Sequence, residues 1–167
     1  MNNETTTTKE MLSNDEIIST LNGLIETCKD GQEGFETSAQ SVKNADLQAT
    51  FQELSGQRAK FAGELRSLVF SLGGDPENSG SLAGTLHRGW LNLKAAVTGG
   101  DEAGILNECE RGEDVAKDNY RAALEKNLPG DIAQILQRQN EAILEAHRKI
   151  KSLRDNANNM TNTAKAS

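Results

Sequence analysis

Residues 72–80 read LGGDPENSG. Three glycines and a proline within nine residues cannot continue a helix, so a helix must end here. Upstream, Leu47, Phe51, Leu54, Arg58, Phe61, Leu65, Leu68 and Leu72 step by four and three, the spacing of one helical face. Downstream, a second amphipathic run, Leu82, Leu86, Trp90, Leu93 and Val97, ends at the glycines of TGGD (98–101). The break and this run form a link long enough to travel the length of a helix. That length decides the topology. A short turn forces two helices antiparallel, whereas a long crossover lets them run parallel.

Three further rows repeat the helical step. They are Ile17, Leu21, Leu24, Cys28, Gly31, Phe35, Ser38 and Val42; Leu106, Cys109, Glu113, Ala116, Tyr120 and Leu124; and Ile132, Leu136, Gln139, Ile143, Ala146, Ile150 and Leu153. The spacing predicts long helices over 14–43, 45–72, 101–127 and 131–155, with a short extra helix over 80–98. Each long helix has about 25 residues, roughly 38 Å at 1.5 Å per residue. A tight turn near Lys43–Asp46 makes the first two antiparallel. The last two meet across NLPGD (127–131), where Pro129 and Gly130 break the helix and Asp131 can cap the next. Two antiparallel hairpins joined by a long crossover give an all-α fold, the ferritin-like form of the four-helix bundle. Its rival is a plain up-down bundle with a decorated loop.

The chain has 167 residues, enough for one domain, here expected over 14–155. Its net charge of −7 provides no basic surface for phosphate backbones, so nucleic acid is not an expected partner. The apolar runs are only a few residues long, too short to insert into a membrane. The start, MNNETTTTKEMLSNDE, has neither the basic nor the apolar stretch of a signal peptide. Two cysteines do not make a disulfide framework, and a cytoplasmic location is expected. The polar, low-complexity ends, 1–13 and 156–167, are expected to be disordered tails.

Residues 107–120, NECERGEDVAKDNY, set Glu108, Glu110 and Glu113 around Cys109. Carboxylates beside a thiol are what an intrabundle metal site would use. At about 100° per residue they separate. Glu113 falls inside the apolar arc of Cys109, Ala116 and Tyr120. Glu108 and Glu110 fall on opposite edges, expected to be solvated, and Asp114 points outward. The other helices also carry interior polar positions near their midpoints: Arg58, Gln139, His147 on the flank of its row, and Cys28 with Gly31. Midpoints meet in an antiparallel bundle, so a polar waist is expected. A buried charge without a partner costs several kcal/mol. The simplest arrangement pairs Arg58 with Glu113, with Gln139 and His147 taking the remaining hydrogen bonds. Alternatively Arg58 keeps its stem in the core and its head in water.

Four segments carry a family resemblance: LNGLIETCKDGQEGF (21–35), QRAKFAGEL (57–65), LGGDPENSGSLAGTLHRGW (72–90) and ECERGEDVAKDNYRAAL (108–124). Together they resemble a bacterial ferritin-like four-helix-bundle family of unknown function, over roughly residues 13–155. The resemblance implies a ferritin-like fold and a bacterial stress setting, without an established activity. In the wider superfamily of ferritins, bacterioferritins and rubrerythrins, a di-iron site takes one Glu from each of two helices and a Glu-x-x-His pair from each of the others. Matched through LGGDP, one such pair falls on Arg58 and Phe61. Matched through AHRKI (146–150), the other falls on Leu144 and His147. Glu113 keeps its carboxylate, and the position on the first helix falls near Thr27 or Cys28. No Glu-x-x-His occurs anywhere in the chain. The resemblance therefore implies a degenerate di-iron site, with the Arg58 guanidinium standing as fixed positive charge where metal would bring its own.

These residues point first to a non-enzymatic bundle acting by association, as a homodimer or with another protein, and needing no cofactor. Its candidate surface is the crossover face of Leu82, Leu86, His87, Trp90 and Leu93, with Arg88 close by. Alternatively that face packs on its own bundle. The second functional class is a metal-binding redox or storage protein in which Cys28, Cys109, Glu113 and His147 converge, a donor set that favours zinc over a di-iron centre. Hydrolase or transferase chemistry lacks a Ser-His-Asp spacing or a phosphate-cradling glycine loop.

Overall fold

Helix ends follow from local capping chemistry. Ser13 opens α1 (Asn14–Ser41), its hydroxyl accepting from the Glu16 N–H at 3.2 Å and donating to the Glu16 carboxylate at 3.0 Å. Asn44 opens α2 (Ala45–Ser71) by accepting from the N–H groups of Asp46 and Leu47 at 2.9 and 3.1 Å. Gly73, at φ 80°, takes the left-handed turn that ends α2. A short α3 (Leu93–Gly99) follows, closed by Gly100 at φ 66°. Asp101 caps α4 (Glu102–Leu124), and α5 spans Gly130–Lys165. The computed structural model describes residues 10–77 and 89–165.

Cross-helix contacts fix the topology. Asn14 donates to the Leu72 carbonyl and Ser55 to the Gln32 carbonyl, so α1 and α2 are antiparallel. Asn119 bonds Thr27, while Ser38 meets Cys109, so α1 and α4 are antiparallel too. Gln139 meets Tyr120 and Arg154 meets Glu110, making α4 and α5 antiparallel. It follows that α2 and α4 run parallel, which excludes the up-down alternative. Two hairpins joined by a crossover with a short extra helix make this a ferritin-like four-helix bundle.

Two expectations about extent change. The last helix runs ten residues past 155, into the segment expected to be a disordered tail. Residues 156–165 hold neither glycine nor proline, and Ala157 packs against the apolar cluster at that end, so nothing stops the helix. The extra helix begins only at Leu93, after a 3₁₀ turn at 89–90 and a turn at 91–92, and residues 80–88, with Leu82, Leu86 and His87, lie outside the described residues. Asp131 lies inside the first turn of α5 instead of capping it, because Pro129 supplies the carbonyl bonded by Ala133 at 2.9 Å.

The interior divides into two apolar clusters. One holds Cys28, Phe61, Ala116, Tyr120 and Ile143; the other holds Phe35, Leu54, Cys109, Ala146 and Ile150. On α2 the boundary falls at Arg58, on α4 at Glu113. Trp90 anchors the crossover to the bundle. Its ring lies between Gly34 of α1 and Gly112 of α4, where added Cβ atoms would stand 2.4 and 2.2 Å from ring carbons. It meets Phe35 edge to face at 5.2 Å. Leu93 is buried beside it. With Leu93 buried and Trp90 half-buried, both pack on the bundle while still bordering a surface groove with Leu91.

The glycine slot makes opposite predictions for substitutions of the same kind. Gly112→Ala forces the indole out and should destabilise the fold by about 1–3 kcal/mol, as overpacking does. Gly56 is exposed with nothing within 4 Å of an added Cβ, so Gly56→Ala should stabilise α2 by roughly 0.5–1 kcal/mol. Urea unfolding measures both. Fluorescence of Trp90, the one tryptophan, should shift red in Gly112→Ala alone.

Candidate functional site

The waist is built across the bundle diagonal. Arg58 Nη1 and Nη2 donate to the two carboxylate oxygens of Glu113 at 2.6 and 2.8 Å, a bidentate pair. Arg58 is 1% exposed and Glu113 0%, so the head of Arg58 does not reach water. Room for the guanidinium comes from Gly31, whose added Cβ would stand 3.3 Å from Arg58 Cγ. The Phe35 ring lies 5.5 Å beneath it, and Gln57 accepts from Nε at 3.3 Å. Burial alone would lower the Arg58 pKa. The charge and hydrogen bonds of Glu113 together outweigh burial and raise it, so the guanidinium stays charged.

Gln139 and His147 do not complete this pair. Gln139 belongs to a separate network one turn away. Its Oε1 accepts from the Tyr120 hydroxyl at 2.7 Å, and its amide donates to the Phe61 carbonyl at 3.5 Å. The same hydroxyl lies 3.2 Å from Cys28 Sγ. Burial raises the Tyr120 pKa well above its ordinary value, with Cys28 adding to the shift. His147 instead lies on the α4–α5 flank, its Nε2 2.6 Å from Asp114 Oδ1. The two are separated because Gln139 and Tyr120 are long enough to reach each other within the core, whereas position 147 is rotated off the inward row.

The four-ligand set of Cys28, Cys109, Glu113 and His147 does not assemble. Cys28 turns to Tyr120, Cys109 to Ser38 at 3.4 Å, and both Glu113 oxygens to Arg58. Burial pushes the thiol of Cys28 up to about 11 and that of Cys109 up to about 12, so neither is a thiolate at neutral pH. Among the described residues, the ligand atoms that do gather belong to Glu110, Asp114 and His147, within 4.8 Å of one another. Glu110 is not solvated, as its edge position implied, but ion-paired with Arg154 of α5. Glu108, expected at the solvated edge as well, is buried; Arg111 lies 3.3 Å from one oxygen and the other has no hydrogen-bond partner. The adjacent Trp90 slot and α3 cover this edge of α4, a tertiary contact that helical rotation alone does not show. Tyr120 was legible only as a core residue. The available signal was its hydroxyl, which needs a partner wherever the ring is buried.

The fold and waist define a ferritin-like four-helix bundle with a degenerate metal site. Residues 16–126 match a family described as a domain of unknown function (DUF2383), and the chain belongs to that family. No curated protein matches the chain. The match spans α1 to the end of α4, so it contains Arg58 and Glu113. A di-iron centre does not fit the residues present. Arg58 uses both oxygens of Glu113, and Phe61 and Leu144 offer no ligand where the resemblance places two.

Removing Arg58 alone leaves Glu113 buried and unpaired. Arg58→Met should therefore cost about 3–5 kcal/mol in urea unfolding, and Arg58→Met with Glu113→Leu should recover much of that loss. Simple additivity of the two single losses would count against the pair. The thiols give a pH test. Each is neutral in the fold above the ordinary value of 9.0, so its contribution to stability is complete below that pH and is lost as pH rises through 11 to 12. Thiol labelling at mildly alkaline pH should be slow in native protein and fast in denaturant.

Proposed function

We propose that the protein is a non-enzymatic ferritin-like bundle that acts by association, first with a second copy of itself, its interior serving as a scaffold. The observation that carries this is the buried bidentate Arg58–Glu113 pair at the place where the superfamily builds its metal centre. A guanidinium already neutralises the carboxylate there, so the waist itself has no unmet demand for a cation. Support for association comes from an apolar groove between α1 and the crossover, lined by Gly34, Thr37, Trp90, Leu91, Leu93 and Val97, with Leu91 70% exposed at its edge. The proposed interaction surface is therefore the crossover face of Trp90, Leu91 and Leu93, while Leu82, Leu86 and His87 lie outside the described residues. The two free cysteines support a reducing, cytoplasmic setting. No helix among the described residues is long and apolar enough to cross a membrane.

Ferrous iron mixed with the protein in air tests the closed interior. Its oxidation should proceed at the rate seen in buffer alone. An acceleration by the protein that disappears in Glu113→Gln would overturn the proposal. Sedimentation across a concentration series tests self-association, with a concentration-dependent dimer expected.

A further inference from the structure

The flank of the α4–α5 hairpin carries a second arrangement, separate from the waist. Glu110 and Asp114 lie one turn apart on α4, the spacing that stacks two side chains on one helical face. His147 faces them from the antiparallel α5. One ligand atom from each of the three lies within 4.8 Å of the others, and His147 Nε2 and Asp114 Oδ1 stand 2.6 Å apart. The side chains of Glu110 and His147 are only 13% and 14% exposed, whereas Asp114 is 50% exposed and leaves one edge open to water.

We propose that Glu110, Asp114 and His147 form a divalent transition-metal site that clamps α4 to α5. One imidazole nitrogen and two carboxylate oxygens are borderline-hard donors that suit zinc, cobalt(II) or manganese(II). Three protein ligands leave further positions for water, which the open edge at Asp114 supplies. Two cations now compete for the carboxylates. Lys117 stands 3.8 Å from Asp114, with its side chain 35% exposed, and can turn to solvent. Arg154 pairs with Glu110, but it also holds Asp155 at 2.8 Å. A metal that takes Glu110 therefore leaves Arg154 with a carboxylate partner, and neither guanidinium nor glutamate is stranded. The exchange is one cation for another at the same oxygen. At the waist no such exchange is available, because Arg58 has no second carboxylate among its bonded neighbours.

The competition gives a test that a mere salt-bridge cluster would fail. Cobalt(II) and zinc are titrated into untagged full-length protein at neutral pH, following cobalt absorption and thermal unfolding. One saturable equivalent and a raised Tm are expected. Arg154→Gln should tighten binding by about tenfold, because it removes the competitor. His147→Gln and Asp114→Asn should each weaken binding by at least about tenfold, the range that even ligand-supporting residues produce. His87→Gln, the other histidine, should leave it unchanged. The proposal is overturned if neither wild type nor Arg154→Gln binds saturably, if binding survives His147→Gln undiminished, or if His87→Gln abolishes it. Glu113→Gln separates the site from the waist, since it should leave cobalt binding in place.

Discussion

Everything in the middle of this bundle is arranged around one buried guanidinium. Arg58 cannot be deprotonated at any ordinary pH, and it has no route to water. Its charge must be met inside the protein, across the diagonal from α2 to α4. That requirement sets the relative height of the two hairpins, because a bidentate pair tolerates little sliding. Gly31 on α1 leaves the Arg58 stem its room, since an added Cβ would stand only 3.3 Å from Arg58 Cγ. The two apolar clusters then pack above and below this layer as separate bodies. A shift of one helix against another by a turn would strand two charges in hydrocarbon, so the pair specifies register as well as filling space. Its net contribution to stability is a separate matter, because desolvation of both groups offsets much of their attraction.

The crossover is governed by shape, not by charge. A parallel relation between α2 and α4 needs a connection that returns along the bundle. That connection is held where the indole of Trp90 enters a slot between two helices. Gly34 and Gly112 are the walls of the slot, and any side chain there would overlap the ring. Glycine inside a helix costs about 0.5–1 kcal/mol relative to alanine. Burying most of an indole against Phe35 returns more than two such costs.

A ferritin-like bundle normally needs something at its waist, because inward carboxylates repel one another. Metal is one solution. Here an arginine on one helix meets a single inward glutamate on another, and no metal is needed to balance that carboxylate. Tyr120, Gln139 and Cys28 form a neutral network beside the pair, which lets polar atoms share the core without adding charge. The carboxylates that still gather with a histidine do so on the α4–α5 flank, where water and two cations reach them.

By itself the sequence determined the all-α class, the four long helices, the crossover, and the inward direction of Arg58 and Glu113. Periodicity and helix breakers are local properties, and a side chain's angular position on its helix is set by counting residues. Charge balance also pointed Arg58 to Glu113, but the partners of the other inward polar residues were decided only by the tertiary structure. Gln139 and His147 both looked like members of the waist, yet one joins Tyr120 and the other leaves for Asp114. Glu108 and Glu110 looked solvated until neighbouring elements covered them. Partner choice depends on helix height, crossing and side-chain reach, and these exist only once several helices have packed. The end of α5 shows the same limit: a polar tail looked disordered by composition, and an apolar contact at Ala157 with no breaker after it carries the helix on to Lys165.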